Sequence, residues 1–328
     1  MEYRTLGKTG LKVSTLGFGC GAIGGLLVRG HYPDMRATVA RAIELGVTYF
    51  DTASMYGNGQ SEANLGAVLR ELGEDKGDRV VLGTKVRLGA DAVGRISAAV
   101  TESVEASLRR LGREQVDLIQ FHNRLGAVSR PVEDHWSVAD LLEVAETFDR
   151  LRGQGKVRFW GFTGLGEPAV ILDAIQTGVL HSVQSCYNLL NPSAGRAVND
   201  DFPYENYSQM IDAAGTAGMG VIAIRVLAGG ALAGTLDRHP VAAPAPNPIG
   251  SARDYASDVA HAQRFACLVH EGYTETLAEA AIRFVISKPA VSTALVGTSN
   301  QEQLEAAVAA VERGPLPAPA LARIADTI

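Results

Sequence analysis

The sequence predicts an α/β chain folded as a (β/α)8 barrel with an N-terminal β-hairpin. Three observations carry that expectation. Short β-branched or apolar runs, each ending in a polar or small residue, occur eight times along the chain. Each is followed by a longer segment with apolar residues near i, i+3 and i+4. Such regular alternation implies parallel strands with helices packed outside them. The chain's 328 residues suit one barrel of this kind or two ordinary domains, and eight units close naturally into a barrel.

Residues 1–13 come first. Gly7-Lys8-Thr9-Gly10 marks a hairpin turn between two short strands, placed to plug the bottom of the barrel. The strand runs are residues 14–20, 47–51, 80–85, 116–122, 157–163, 181–185, 220–225 and 291–297. The helical segments are 36–45, 61–72, 95–111, 139–152, 167–176, 207–217, 273–287 and 301–311, with an extra helix over 256–270. Residues 229–257 break the rhythm, with Pro240, Pro244, Pro246 and Pro248 among alanines. Because the alternation resumes afterwards, this segment is expected to be a long loop over the barrel mouth rather than a linker. Residues 1–328 then form a single barrel domain.

The composition, 46% hydrophobic and 20% charged, is that of a chain able to bury a substantial core. A net charge of −6 argues against a nucleic-acid partner. Cys20, Cys186 and Cys267 are far apart and form no CxxC pair, so reduced thiols are expected and a disulfide framework or zinc site is not. The N-terminus opens on charge without an apolar signal core. No apolar run approaches the roughly 20 residues that span a bilayer. A cytoplasmic location, with no membrane partner, is the expectation.

Gly19-Cys20-Gly21-Ala22-Ile23-Gly24 matches GxGxxG after a strand run, with Asp51 ending the next strand. In a dinucleotide-binding βαβ unit a helix starts at that loop. Here Gly30 and Pro33 interrupt the stretch, and the helical period starts only near Asp34, a suitable N-cap. The motif therefore reads as a glycine-rich turn at the top of the first barrel strand.

The chemistry sits at strand ends, where a barrel of this class places its active site. Phe50-Asp51-Thr52-Ala53-Ser54-Met55-Tyr56-Gly57 closes the second strand, Gly83-Thr84-Lys85 the third, and Gln120-Phe121-His122-Asn123 the fourth. Asp51 and Lys85 are costly to bury singly, so they are expected to pair. An ammonium beside a Tyr56 phenol favours the phenolate and brings that group closer to working pH as an acid or base. His122 adds a hydrogen-bond donor for a carbonyl oxygen. Each residue alone has an ordinary explanation as a cap, an ion-pair member or packing; their conjunction on successive strand ends makes a site.

The segments FDTASMYGNGQSE, GTKV and QFHN resemble motifs of the aldo-keto reductase superfamily, and residues 3–14 resemble its N-terminal hairpin. The resemblance covers nearly the whole chain and implies a (β/α)8 barrel. It implies Tyr56 as general acid in carbonyl reduction and base in the reverse direction, Lys85 paired to Asp51 as its tuner, and His122 as the group orienting the carbonyl. A nicotinamide cofactor would supply the hydride, with no metal. Thr163, Gln184 and Asn188 would surround its nicotinamide end, with Gly21 and Asp51 also among the cofactor-binding residues. Arg225, Leu227 and Gly229 would follow its pyrophosphate. Gly297, Thr298, Ser299, Asn300 and Gln303 would hold the adenosine phosphate, near a helix N-terminus. Departures include Gly164 after Thr163, Ile224 where an aromatic residue often stacks, and Gly297 and Gln303 where cations often clamp a 2′-phosphate. NADP(H) is the expected cofactor, with NAD(H) as the alternative that these departures leave open.

The substrate would be a small carbonyl compound, alcohol or sugar. Ile23, Arg87, Leu88, Asn123 and Arg124, with Tyr56, His122 and parts of 229–257, would line its approach. Phe162-Thr163-Gly164-Leu165 is similar to a sugar-dehydrogenase branch that includes NAD-linked aldose oxidisers. An NAD-dependent aldose dehydrogenase is one alternative; a slow, cofactor-binding regulatory module like channel-associated β subunits is another. A barrel lyase using Lys85 as a Schiff-base nucleophile is a third.

Overall fold

In a computed structural model, which describes every residue except 74–76, 78–79, 129–130, 132–133 and 243, β1 (Tyr3–Thr5) and β2 (Lys12–Ser14) pair antiparallel. Their turn reaches up into the barrel floor. Leu6, Leu11 and Val13 pack there with Tyr49, Leu118 and Ile222 as a second, inner core. Gly7 is needed at the turn because its φ is 49° and a Cβ there would lie 2.1 Å from the Gly220 nitrogen.

Eight parallel strands close the barrel in the order in which the chain supplies them: β3 (Leu16–Gly19), β4 (Tyr49–Asp51), β5 (Val81–Val86), β6 (Val116–Phe121), β9 (Val157–Gly164), β10 (Ser182–Cys186), β11 (Gly220–Ile224) and β12 (Val291–Gly297). β12 pairs back to β3, completing a (β/α)8 TIM barrel. Between β6 and β9 lies a small parallel pair, β7 (Arg124–Leu125) and β8 (His135–Trp136). Strand alternation sorts the side chains. In β4, Phe50 turns outward and stacks on Phe18 at 5.2 Å, whereas Tyr49 turns inward to the floor core.

The outer layer comprises α1 (Leu26–Arg29), α2 (Tyr32–Glu44), α3 (Gln60–Leu72), α4 (Ile96–Leu111), α5 (Val138–Gly153), α6 (Pro168–Gln176), α7 (Met210–Thr216), α8 (Tyr255–Ala262), α9 (Cys267–His270), α10 (Leu277–Ile286), α11 (Gln301–Glu312) and α12 (Ala318–Ala325). No described helix is long and apolar enough to cross a membrane.

Several expected boundaries are corrected. α2 starts at Tyr32 with His31 as N-cap, so Asp34 lies in its first turn. Pro33 opens that helix rather than interrupting it, because its missing N–H costs nothing there. A short helix, α1, also follows the glycine-rich turn directly. Residues 207–209 stay outside α7: Ser208 and Gln209 adopt positive φ, and Tyr207 N donates to Ser193 Oγ. α10 begins at Leu277, where Thr276 caps it through Glu279 N. The extra helix expected over 256–270 breaks into α8, a 3-10 turn at Gln263–Ala266, and α9. The terminal helix α12 was not expected.

Residues 229–257 begin in a kinked 3-10 stretch, Ala228–Ala233. Two arginines tie this segment to the loop after β3. Arg238 donates to Gly229 O (2.8 Å), Tyr255 Oη (3.0 Å) and Ile23 O (3.3 Å). Arg29 donates to Ala22 O (2.6 Å) and Val241 O (2.7 Å). Asp258 on α8 accepts from Ser251 Oγ and Ala252 N, bracing the segment's far end.

Candidate active site

Asp51, Lys85 and His122 stand on neighbouring strand ends, and the loop after β4 brings Tyr56 over them. Hydrogen bonds fold that loop back: Tyr56 N donates to Ala53 O and Ser61 N to Tyr56 O. Ser61 Oγ lies 2.8 Å from Thr52 Oγ1 and donates to Cys20 O. The start of α3 is thereby fixed to both β3 and β4.

Lys85 is fully buried, and its ammonium donates to Asp51 Oδ1 and to Thr52 O at 2.7 Å. Asp51 Oδ2 accepts from Tyr49 Oη at 2.9 Å and Gln184 Nε2 at 2.7 Å. Lys85 Nζ lies 4.9 Å from the centre of the Tyr56 ring. The His122 ring stands edge-on to Tyr56, with centres 6.1 Å apart.

Burial works on each titratable group, and neighbours decide the outcome. Burial raises the Tyr56 phenol above its ordinary value; Lys85 offsets this in part, while Asp51 raises it further. Burial pulls Lys85 down, but Asp51 and Tyr56 outweigh it and hold the ammonium above its usual range. His122 is driven well below the usual imidazole range by burial, with Lys85 and Arg87 adding to the effect. A neutral imidazole, a charged ammonium and a protonated phenol therefore coexist at neutral pH. His122 Nδ1 is buried without a hydrogen-bond partner among the described residues.

A cofactor is implied by this donor set, and the flanking residues fit one in part. Thr163 Oγ1 and Thr298 Oγ1 are buried polar atoms without a hydrogen-bond partner among the described residues. Gly21 lies under the Tyr56 ring, where a Cβ would come within 3.4 Å. Gly24 presses on the end of β12: a Cβ there would lie 2.6 Å from Thr298 N, and Gly24 O accepts from Ser299 Oγ at 2.7 Å. Gly297 is exposed beside them. Gly164 is crowded, since a Cβ would come within 3.1 Å of Gln184 O and Val183 Cγ2. Arg225 has a left-handed φ of 56°, and among the described residues its side chain gives one hydrogen bond, to Asn247 O at 3.3 Å. Leu227 packs on the core, as does Ile224. Gly229, at φ 72°, abuts Pro246.

Other expected site residues make hydrogen bonds within the protein. Gln184 Nε2 holds Asp51. Asn188 Nδ2 holds Arg225 O at 2.9 Å, while its Oδ1 accepts from Leu190 N and Asn191 N, so Asn188 braces the strained backbone at Arg225. Gln303 Oε1 accepts from Ser299 N, and Asn300 Oδ1 from Gln303 N, which closes part of the α11 N-terminus with its own side chains. Asn123 is buried; it exchanges two 2.8 Å bonds with the Leu88 backbone and donates to Asp134. Asn123 and the buried Leu88 shape the rim rather than present free groups at it. Arg87 stands at the rim, paired to Asp134 at 2.9 Å. Arg124 N donates to Asp134 O. Ile23 offers its carbonyl to Arg238.

Sequence reasoning missed Tyr49, Glu62 and Asp134. Tyr49 had a signal: two residues before Asp51 in a strand, it shares that residue's face. Glu62 is a buried carboxylate held by Arg110 Nε at 2.6 Å and by Thr84 Oγ1 at 2.5 Å, Thr84 being the residue before Lys85 in β5. Neither its burial nor the Asp134 pair has a local sequence signature.

The sequence and the fold have known counterparts. The model of the aldo/keto reductase family matches residues 15–328. L-galactose dehydrogenase of Arabidopsis thaliana is 31% identical over 315 residues, covering 95% of this chain and 88% of that protein. A putative voltage-gated potassium channel subunit beta of Schizosaccharomyces pombe is 33% identical over 216 residues, covering 63% of this chain and 54% of that protein. Among solved structures, the holo form of aldo-keto reductase AKR11C1 from Bacillus halodurans superposes with a TM-score of 0.72 at 25% identity, covering 100% of this chain and 96% of the other. With the family model spanning nearly the whole chain and the barrel matching a solved member, the chain belongs to the aldo/keto reductase family, whose members carry out NAD(P)-dependent oxidoreduction of carbonyl compounds.

Proposed function

We propose that the chain interconverts a small aldehyde or ketone and its alcohol, with Tyr56 as the group that gives and takes the proton. The observation carrying this reading is the Asp51–Lys85 pair buried beneath the Tyr56 ring. In reduction, Tyr56 Oη donates its proton to the carbonyl oxygen while neutral His122 donates a hydrogen bond to the same atom. In oxidation the phenolate takes the alcohol proton, helped by the Lys85 charge. A bound nicotinamide supplies or accepts the hydride.

Thr163, Arg225, Thr298 and Ser299 are proposed to hold that cofactor, with the glycines at 21, 229 and 297 giving it room. Gln303 joins them through Ser299, and residues 229–257 are proposed to cover the mouth. Residues 297–305 contain no lysine or arginine, which supports acceptance of NAD(H) beside NADP(H). The likeness to a sugar dehydrogenase supports trying aldoses early. A purely regulatory module is disfavoured by the intact proton-transfer quartet.

The test follows nicotinamide absorbance with both cofactors against a panel of aldehydes, ketones and aldoses. Turnover that disappears in Tyr56→Phe supports the reading. Tight cofactor binding with no turnover across the panel would replace it with the regulatory one.

A further inference from the structure

Asp51 stands in a gap in the barrel wall. Its neighbours in register are glycines, Gly19 on β3 and Gly83 on β5. The gap is filled from below by one ring. A Cβ at Gly83 would lie 2.6 Å from Tyr49 Oη, and one at Gly17 would lie 3.0 Å from its ring. Tyr49 is wholly buried in the floor core, among Leu6, Leu11, Val13, Leu118 and Ile222. Packing alone would be served by phenylalanine. A buried hydroxyl costs free energy unless bonded, and this one donates to Asp51 Oδ2.

Asp51 Oδ2 thus receives two donors, Tyr49 Oη and Gln184 Nε2, while Oδ1 faces the Lys85 ammonium. Two donors fill the two acceptor positions of a carboxylate oxygen. The carboxylate's torsion is fixed, and Oδ2 is closed to any ligand. The Tyr49 O–H dipole also points its positive end at the carboxylate and offsets part of its field.

We propose that Tyr49 is a positioning residue of the proton-transfer site, acting through Asp51 so that the Lys85 charge is felt more fully at Tyr56. The inference rests on the reading of Tyr56 as proton donor and acceptor. Tyr56 is faced by Asp51 and Tyr49 from β4, Lys85 from β5, Cys20 at the end of β3, His122 after β6, and Arg225 after β11. Among these, Lys85 lowers the phenol and Asp51 raises it. Removing the Tyr49 hydroxyl unshields Asp51 and moves the balance upward.

Tyr49→Phe in the full chain is the test, read as the pH profile of alcohol oxidation. The limb that requires phenolate should move to higher pH by roughly half a unit, with oxidation below it slowed roughly 3-fold. Cofactor dissociation constants should stay within about 2-fold of the parent, since Tyr49 lies beneath the site. Gln184→Met, which removes the other donor, should move the limb in the same direction. If Tyr49→Phe does not fold, that second variant decides. An unmoved limb in the folded variant, while Asp51→Asn shifts it, would overturn the proposal and leave Tyr49 as packing. If the parent's limb survives Tyr56→Phe, the underlying reading fails instead. The Tyr56 phenolate is then followed by ultraviolet difference titration against Tyr56→Phe. A Tyr56 titration raised by Tyr49→Phe supports the proposal without any turnover, and an unchanged one ends it.

Discussion

The Lys85 ammonium donates to Asp51 while lying 4.9 Å from the centre of the Tyr56 ring, with Lys85 and Asp51 buried and Tyr56 partly exposed above them on the loop after β4. An ammonium with one partner is an ion pair; one with a phenol on its other flank is a lever on that phenol. Lys85→Met removes the only group among these neighbours that is both cationic and in the barrel wall beside Tyr56. Turnover should fall by roughly 10²-fold or more. Oxidation should suffer more than reduction at a given pH, because the phenol rises further without Lys85 and less phenolate forms. Steady-state rates in both directions at several pH values check this. Asp51→Asn should be milder, since Thr52 O still holds Lys85.

His122 links the site to stability. Its folded value lies well below that of a free imidazole, so the unfolded chain binds the extra proton first. The stability it contributes is present above its unfolded value of about 6.5 and is lost as pH falls below that value towards the depressed folded one. Thermal unfolding of the parent should therefore weaken between about pH 6.5 and 5. His122→Gln should show a flatter dependence over the same interval. Equal slopes for the two proteins would remove His122 from this role.

Arg225 combines a left-handed backbone with a guanidinium that makes one long hydrogen bond. Arg225→Gly relieves the backbone and deletes the charge. The melting temperature should hold or rise. The dissociation constants of NADH and NADPH should both weaken by roughly 10-fold, as for a lost charge-assisted bond to phosphate. Fluorescence titration of each cofactor reads this directly. Unchanged affinity for both would take Arg225 out of the cofactor site.

Period and strand-end chemistry were legible in the sequence because both are local. The eight β runs declare themselves through apolar patterning, and Asp51, Lys85 and His122 follow from where those runs stop. Helix starts were less legible. Pro33 looks like a break until the start of α2 is seen to lie at Tyr32, and Thr276 caps α10 three residues after the periodic stretch begins. Commitments between distant residues were not legible at all. Nothing near Gln184 in sequence says that its amide faces Asp51, 133 positions away, and nothing near Asn123 says that it is spent on Leu88. Amide side chains serve as cofactor ligands and as braces with equal chemistry, so only their placement separates the two uses.

The central claim, that Tyr56 moves the proton, is tested most directly by Tyr56→Phe. The substitution keeps the ring against Gly21 and deletes only the hydroxyl. Cofactor affinity should stay within about 2-fold of the parent, while single-turnover reduction of the best carbonyl substrate slows by roughly 10²-fold or more. A variant that binds cofactor normally and retains most of the parent's single-turnover rate would contradict the account.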